Sequence, residues 1–249
     1  MQFWRDAVKR WLLQRDTILS RPPGQFSIAH IKWRQVRDRG LSIAVALDGG
    51  AHVGDWAEEL KEVYPHAQVL MVEPREEVQG ELESLAKRLP GLRAAKTLLG
   101  ATEGTLDLHE HAGQSSVLDN SGGQPFGKIV AHPVTTIDRL FETTGLPLPD
   151  LIKLDLQGFE LEALKGAPAA IAHAEAVLLE VSFLAFQQGQ PIVGDVVAFM
   201  DRAGFQVYDI FALAHRPLDG ALAQGDFLFV KKTSKLVADR RWAQDSPWA

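Results

Sequence analysis

A glycine-rich turn stands between a short apolar run and a helical pattern, and this order restricts the possible folds more than any other feature of the chain. The run Ile43 to Leu47 leads directly into Asp48-Gly49-Gly50-Ala51-His52-Val53-Gly54, and Trp56, Leu60 and Val63 then follow at helical spacing. A short apolar run bounded by glycine predicts a buried strand, and the spacing after it predicts an amphipathic helix. The segment is therefore predicted to fold as strand, turn and helix.

The same alternation continues along the chain and predicts the fold class. Ala67 to Val72 is a second apolar run, and Val78, Leu82 and Leu85 begin a second helical pattern. Strands that alternate with helices are typical of α/β folds, in which helices cover both faces of a mostly parallel sheet. Further strands are predicted at Leu92 to Leu99, Thr105 to His109, Leu151 to Leu156, Ala176 to Val181, Phe205 to Ile210 and Phe227 to Val230, and a further helix at Val193 to Ala203.

The ends of the chain differ from its middle. Residues 1–39 contain two helical patterns, Phe3 to Leu19 and Phe26 to Arg37, with a charge of +6, whereas the whole chain carries −6. We expect these helices to cap the ligand site or to form a contact between subunits of a homo-oligomer. The main domain is predicted over residues 40–232, and a polar tail over residues 233–249.

Charge and composition exclude several classes of protein. Residues beyond Arg39 carry −12, which disfavours nucleic acid as a partner. No apolar run reaches eighteen residues, so no membrane span is predicted, and Arg5, Lys9 and Arg10 interrupt any signal peptide. The chain has no cysteine, which excludes disulfides and thiolate ligands and fits a cytoplasmic location.

The glycine turn predicts a bound ligand. A strand-to-helix turn presents backbone N–H groups to a ligand, and glycines allow its close approach. A dinucleotide is one possible ligand, but Ala51 replaces the second of its three glycines and Asp48 would repel a pyrophosphate. The turn suits a nucleoside with a cationic amino-acid group better. Glu73, at the end of the next strand, is placed to accept hydrogen bonds from ribose hydroxyls.

Several motifs of this sequence resemble the FkbM family of S-adenosylmethionine-dependent methyltransferases. The first, Asp-x-Gly-Ala-Asn-x-Gly in that family, matches residues 48–54 except at His52, and its acid-proline motif matches Glu73-Pro74. Smaller matches are Thr136-Ile137-Asp138 and the pair Ser115-Ser116. The most specific match is Lys153-Leu154-Asp155-Leu156-Gln157-Gly158-Phe159-Glu160-Leu161-Glu162-Ala163-Leu164-Lys165-Gly166-Ala167. The similarity runs from about residue 43 to residue 231.

The resemblance implies a fold, an activity and a cofactor. The fold is a Rossmann-like α/β structure of class I, with a mostly parallel seven-stranded sheet and additional N-terminal helices. The activity is O-methylation of a hydroxyl on a sugar or a secondary metabolite, with S-adenosyl-L-methionine converted to S-adenosyl-L-homocysteine. The implied donor-binding residues are Asp48, Gly49, Gly50, Ala51, His52, Gly54, Glu73, Pro74, Ser116 and Gln157.

An alcohol needs a proton acceptor when it attacks a methyl group, and this requirement selects the catalytic candidates. Asp155, at the end of a predicted strand on the same sheet edge as the glycine turn, is the first choice. Glu180 interrupts an apolar strand, where burial without a partner is costly, and His215 is predicted in a loop. Glu160 is a further candidate, although an acid in the first turn of a helix is equally explained by the helix dipole.

Metal use and two other functions stay open. His109 and His111 share one face of a predicted strand, but no metal site is predicted from them. Polar residues from Ala112 to Lys128 predict a mobile flap. Compared with the family that it resembles, this chain has Gln157 where many relatives have Glu, and if that Glu acts as a base, this chain lacks it. An NAD(P)-dependent oxidoreductase and a non-catalytic, nucleoside-binding interaction protein are the alternatives to a methyltransferase that acts on a small molecule or a glycan.

Overall fold

The structure is a computed structural model, and it describes residues 28–111, 115–119 and 127–241. The predicted helix from Phe3 to Leu19, most of the predicted flap and the last eight residues of the tail lie outside the described residues. In the described part of the chain, none of the helices has both the length and the apolar character needed to cross a membrane.

Seven α-helices and ten β-strands make up the described residues. The helices are α1 (Ile28–Asp38), α2 (Asp55–Val63), α3 (Gln79–Arg88), α4 (Ile137–Thr144), α5 (Glu160–Lys165), α6 (Pro168–His173) and α7 (Val193–Arg202). The strands are β1 (Val45–Gly49), β2 (Gln68–Val72), β3 (Leu92–Ala95), β4 (Leu98–Leu99), β5 (Gly104–Glu110), β6 (Lys128–Thr135), β7 (Leu151–Leu154), β8 (Ala176–Ser182), β9 (Phe205–His215) and β10 (Leu222–Lys231). Short 3₁₀ helices occupy Glu76–Val78 and Lys235–Val237.

Seven of the strands form one sheet in the order β3-β2-β1-β7-β8-β10-β9. All neighbours are parallel except that β10 runs antiparallel to both β8 and β9. The strand order reverses direction at β1, whose neighbours β2 and β7 continue the chain on opposite sides. A ligand crevice is expected outside the carboxyl ends of the strands at such a point. The predicted mostly parallel seven-stranded sheet is therefore confirmed.

Helices cover both faces of this sheet, and side chains alternate between the faces along each strand. In β1, Val45 and Leu47 belong to the core beneath α4, α5, α6 and α7, whereas Ala46 belongs to the core beneath α1, α2 and α3. Strand β2 divides in the same way, with Leu70 and Val72 on the first face. Continuous apolar runs are needed because both faces of a strand are buried.

The second sheet was not predicted as such. Its order is β4-β6-β5, and it lies between β3 and β7 in the chain. The predicted strand from Leu92 to Leu99 is wrong in its extent, because Leu92–Ala95 pairs with β2 and Leu98–Leu99 pairs with β6. One predicted strand therefore contributes to two sheets, and the break between them falls at Lys96 and Thr97.

Five further elements differ from the prediction. Strand β6 and helices α4 and α6 were not predicted, because polar residues interrupt the apolar positions of β6 and both helices are short. Strands β9 and β10 are longer than predicted, so His215 ends a strand instead of lying in a loop. The second N-terminal helix is confirmed as α1, which packs through Trp33 and Val36 into the core shared with α2 and α3.

Candidate functional site

The carboxyl ends of β1, β2 and β7 surround a cavity of about 280 Å³, which we call the donor cavity. One wall is polar and combines the glycine turn with the acid after β2 and the segment after β7. The opposite wall is apolar and combines residues of the second sheet with Phe159. The lining residues are Gly50, His52, Glu73, Pro74, Arg75, Leu98, Leu99, Leu108, Ser115, Val117, Asp155, Leu156, Gln157 and Phe159.

The glycine turn brings β1 against the segment after β7. Gly50 has a φ of 72°, and a Cβ atom built there would lie 1.9 Å from the carbonyl oxygen of Asp155. Any side chain at position 50 would therefore displace the Asp155 backbone. The N–H groups of Gly50 and Ala51 both donate to the carbonyl oxygen of Val72, at 2.9 and 3.1 Å. The expectation that these amides face a ligand is therefore not met.

Glu73, the predicted ribose acid, lies in the wall of the donor cavity and is 5% exposed. Its Oε1 atom accepts hydrogen bonds from the backbone N–H of Arg75 at 3.2 Å and from Arg75 Nε at 2.9 Å. Its Oε2 atom accepts a hydrogen bond from the backbone N–H of His52 at 3.0 Å. A carboxylate oxygen accepts two hydrogen bonds, so Oε2 keeps capacity for a ligand hydroxyl.

Asp48 lies beneath the turn, not in the cavity wall. Its side chain is fully buried, and its Oδ1 atom is 3.0 Å from Lys153 Nζ, its direct neighbour across β1 and β7. Lys153 Nζ also donates to the carbonyl oxygen of Gly50 at 3.1 Å. Burial lowers the pKa of Lys153, but the carboxylates of Asp48 and Asp155 outweigh this and hold it above its ordinary value. The pair therefore stabilises the turn from below.

The position of Asp48 also bears on whether it would repel a pyrophosphate. Lys153 compensates the charge of Asp48 inside the protein, and Asp48 has no access to the cavity. The like-charge argument against a dinucleotide is therefore not supported by the structure.

Asp155, the first candidate for the base, has an accessible carboxylate in the donor cavity. Its side chain is 39% exposed and lines the donor cavity. Its Oδ1 atom accepts a hydrogen bond from Gln157 Nε2 at 2.9 Å, and its Oδ2 atom lies 3.9 Å from Lys153 Nζ. These contacts hold the carboxylate at the cavity wall while leaving it accessible.

Gln157 joins Asp155 to Glu180. Its Nε2 atom donates to Asp155 Oδ1 and to Glu180 Oε2, each at 2.9 Å. Gln157 adopts a φ of 51°, a strained conformation for a residue with a side chain. Because a glutamine amide carries two hydrogens, both are used on the two carboxyl groups. Its Oε1 atom therefore points away from them.

Glu180 lies behind Gln157 and outside the walls of the donor cavity. Its direct neighbour across β8 and β10 is Asp226. Burial, followed by the negative charges of Asp155, Glu160 and Asp226, raises the pKa of Glu180 to about 9. Burial and Asp155 also raise the pKa of Asp226, to about 6. The raised pKa of Glu180 favours its protonated form at neutral pH, so Glu180 is poorly suited to accept a proton.

Glu160 and Ser116 hold the segment around Gln157 in place. Glu160 Oε1 accepts hydrogen bonds from the backbone N–H groups of Leu156 at 2.7 Å and Gly158 at 3.2 Å. Ser116 Oγ, which is buried, donates to the carbonyl oxygen of Gln157 at 2.8 Å. Ser115, the other member of the serine pair, lines the donor cavity. Binding of the methyl donor by Ser116 thus stays a prediction, and in the structure its Oγ atom contacts backbone groups and Gln187 Oε1.

The remaining predicted residues lie further away. Gly49, Ala51 and Gly54 belong to the turn but not to the cavity wall. His215 lines a second cavity of about 400 Å³ at the same sheet edge, and its Nδ1 atom donates to the carbonyl oxygen of Gly220 at 3.0 Å. Gln157 lines both cavities. Over the described ranges, there is no group of three or more His, Asp or Glu residues that could hold a metal ion.

Sequence reasoning missed the roles of Lys153, Asp226 and Arg75. Each had a local signal: Lys153 interrupts the apolar strand Leu151–Leu154, Asp226 directly precedes Phe227, and Arg75 follows the acid-proline motif. A charged residue within a buried strand requires a partner. The neighbours of Lys153 and Asp226 lie on other strands, so they could not be named from local sequence, whereas the partner of Arg75 is Glu73, two residues before it.

Comparison with known proteins identifies the family. The model of the FkbM methyltransferase domain matches residues 48–207. An FkbM methyltransferase from Methylobacillus flagellatus has 20% sequence identity and a TM-score of 0.47, covering 74% of this chain and 43% of that protein. Magnesium protoporphyrin IX methyltransferase from Synechocystis, solved with bound S-adenosylmethionine, has 13% identity and a TM-score of 0.47, with 84% and 86% covered.

A third similar structure also contains a product of the methyl donor. It is the 1,6-didemethyltoxoflavin N1-methyltransferase of Burkholderia thailandensis, bound to 1,6-didemethyltoxoflavin and S-adenosylhomocysteine, with 14% identity and a TM-score of 0.46, covering 82% of this chain and 78% of that one. The curated proteins contain no match to this chain. The family model spans well over half of the sequence and includes the glycine turn, Glu73 and Asp155. The chain therefore belongs to the FkbM methyltransferase family.

Proposed function

We propose that this chain transfers a methyl group from S-adenosyl-L-methionine to a hydroxyl group of a sugar or a secondary metabolite. The observation that supports this most directly is the composition of the donor cavity. Glu73 after β2 and Asp155 after β7 line the same cavity, and the glycine turn lies between their strands. Membership of the family indicates methyl transfer, and the two acids have separate roles in it: Glu73 binds the donor, and Asp155 accepts a proton.

The residues present fit the methyl donor. Glu73 Oε2 has capacity to accept from a ribose hydroxyl. The apolar wall of Leu98, Leu108 and Phe159 suits a purine ring, because such walls bind the flat apolar part of a ligand. When bound, the donor supplies an electrophilic methyl group on a sulfonium. Of the other predicted donor-binding residues, Gly50, His52, Pro74 and Gln157 also line the donor cavity.

Asp155 is the proposed proton acceptor for the attacking hydroxyl. It is the predicted catalytic carboxylate that both lines the donor cavity and remains accessible there. Gln157 and Lys153 fix its position from the side and from below. Alignment of nucleophile and methyl group is the main requirement of an in-line displacement, so a fixed carboxylate suits the reaction.

Binding of the product nucleoside tests this proposal. In isothermal titration calorimetry, S-adenosylhomocysteine should bind the wild-type protein, and Glu73→Gln should weaken binding by roughly tenfold or more, since a charged hydrogen bond is worth about 1.5–3 kcal/mol. Glu77→Gln is a matched control, because Glu77 contacts the same Arg75 but is exposed. No binding by the wild type, or equal affinity of both variants, would contradict the proposal.

Because Lys153 compensates the charge of Asp48, that charge does not argue against the alternative of a nicotinamide-dependent enzyme. The same calorimeter distinguishes the two functions, because NADH should then bind in place of S-adenosylhomocysteine. The chain spans 43% of the Methylobacillus protein. Three further points are part of this proposal: that the methyl acceptor is a sugar or a secondary metabolite, that the protein is cytoplasmic, and that its N-terminal helices form a homo-oligomer.

A further inference from the structure

The second cavity opens at the same edge of the sheet as the donor cavity. It is bounded by the end of β9, the start of β10 and the segment that follows β8, and its volume is about 400 Å³. Gln157 is the one residue shared by the walls of the two cavities. A molecule in the second cavity would therefore contact Gln157, whose Nε2 atom lies 2.9 Å from Asp155 Oδ1.

The wall of the second cavity is rich in uncharged amides. Gln157, Gln187, Gln190 and Gln224 all contribute to it. An amide side chain offers both hydrogen-bond donors and an acceptor, which suits a ligand with several hydroxyl groups. Gln190 is used by the protein itself: its Oε1 atom accepts from the N–H of Phe186 at 2.8 Å, and its Nε2 atom donates to Ser182 Oγ at 2.9 Å. It fixes the backbone of the wall.

Two of these amides remain available. Gln187 Oε1 lies 3.2 Å from Ser116 Oγ, whereas its nitrogen has no hydrogen-bond partner within the part of the chain that the structure describes. The side chain of Gln224 likewise has no partner among the described residues. Phe186 and Pro217 add an apolar surface to the same wall. Polar donors next to an apolar face are the usual composition of a small-molecule site.

The charges around this cavity disfavour an anion. Arg216, a cation in the wall, forms two hydrogen bonds with Asp219, one of them from Nε at 3.0 Å. Its charge is therefore compensated. An anion that approached Gln157 would meet the carboxylate of Asp155, to which the amide of Gln157 donates a hydrogen bond. An uncharged molecule meets no such repulsion.

We propose that the second cavity receives the methyl acceptor and selects an uncharged molecule that bears hydroxyl groups and an apolar face. This inference rests on the proposed function, because only a methyltransferase has a methyl acceptor. It adds the place where the acceptor binds and its chemical class. Gln157 would then lie beside both ligands, with its Oε1 atom available to accept a hydrogen bond from a hydroxyl of the acceptor other than the one that attacks.

The absence of cysteine from the sequence makes a site-specific test possible. Ala214→Cys places a single thiol in the second cavity, where it can carry a trifluoromethyl label for ¹⁹F NMR. Ala172→Cys is the control, because Ala172 is exposed on α6 and contacts Lys231, at the opposite edge of the sheet. The probes are phenyl β-D-glucopyranoside and phenyl β-D-glucuronide, which differ in a single carboxylate.

We expect the glucoside to shift the label at position 214 saturably and not the label at position 172. The glucuronide should bind at least tenfold more weakly. Gln224→Met should weaken glucoside binding by roughly three- to tenfold, as expected for the loss of one neutral hydrogen bond, whereas Gln206→Met, on the exposed part of β9, should leave it unchanged.

Three results would overturn the inference: no shift at position 214, equal affinity for both probes, or displacement of the glucoside by S-adenosylhomocysteine. The last would place the glucoside in the donor cavity. Failure of the proposed function is distinguishable, because it would appear as a lack of S-adenosylhomocysteine binding in calorimetry whatever the label reports.

Discussion

At the scale of single residues, the site depends on charges that compensate one another out of contact with solvent. Asp48 and Lys153 face each other across β1 and β7, and Lys153 also bonds to the carbonyl oxygen of Gly50. The chain thus places an ion pair directly below the turn that shapes the donor cavity. Removing one partner of a buried pair leaves an uncompensated charge, which is costly.

Lys153→Met should therefore lower the free energy of unfolding by about 3–5 kcal/mol. The reason is that Asp48 stays buried without its cation. Urea unfolding measures the change, and Asp48→Asn in the Lys153→Met background should recover part of the loss. Lys165→Met, which removes an exposed contact with Glu162, should cost less than about 1 kcal/mol. A Lys153→Met variant as stable as the Lys165→Met variant would contradict the ion-pair interpretation.

At the scale of elements, the start of α5 connects the helix to the strained segment around Gln157. Glu160 is buried in the first turn of α5, and its Oε1 atom accepts from the N–H groups of Leu156 and Gly158. The sequence suggested a dipole interaction or a site role for Glu160. The structure shows a third role, in which a helix-terminal carboxyl group fixes the backbone that carries Gln157.

Burial raises the pKa of Glu160 from 4.5 to about 7. The folded protein therefore holds this proton more tightly than the unfolded chain, and the stability that it contributes is present below pH 4.5 and is lost as the pH rises to about 7. Glu160→Gln keeps an oxygen at the Oε1 position and removes the titration. Its stability relative to wild type should rise by about 1–3 kcal/mol between pH 4.5 and pH 7.

Chemical denaturation across this pH range measures that difference. Glu162→Gln is the control, since Glu162 lies in the same turn but is only half-buried. Parallel pH profiles for wild type and Glu160→Gln would show that Glu160 does not titrate in this range.

At the scale of the whole molecule, the described part of the N-terminal segment belongs to the main core. Trp33 of α1 is 0% exposed and contacts Trp56 and Phe211 edge to face, with ring centroids 6.1 and 4.8 Å apart. Lys32 adds an ion pair to Asp209 of β9 at 2.6 Å. Helix α1 contributes no residue to the wall of either cavity. Its described contacts are therefore structural.

Trp33→Ala should lower the free energy of unfolding of the whole domain by about 3–5 kcal/mol, because it leaves a large void in the core. Fluorescence and circular dichroism should report one coincident transition. Ile28→Ala should change the stability by less than about 0.5 kcal/mol, because Ile28 is 69% exposed. A main transition unaffected by Trp33→Ala would indicate that α1 is independent of the domain.

The large apolar runs were sufficient to predict the α/β class and most strands of the main sheet. Strands buried on both faces are continuous in their apolar residues, so Ile43 to Leu47 and Ala176 to Val181 could be recognised locally. The FkbM motifs led to the glycine turn, Glu73 and Asp155. The second sheet was missed because Leu98–Leu99, a strand of two residues, was assigned to the same strand as β3 although Lys96 and Thr97 separate them.

By itself, the sequence determined the kind of fold, the family and the residues that reach the carboxyl edge of the sheet, because apolar periodicity and short motifs are local. Only the tertiary structure decided which charges meet. Asp48 pairs with Lys153, Glu180 lies opposite Asp226, and Gln157 donates a hydrogen bond to Glu180. These partners lie 23 to 105 residues apart, and strand register, which no local pattern encodes, brings them together.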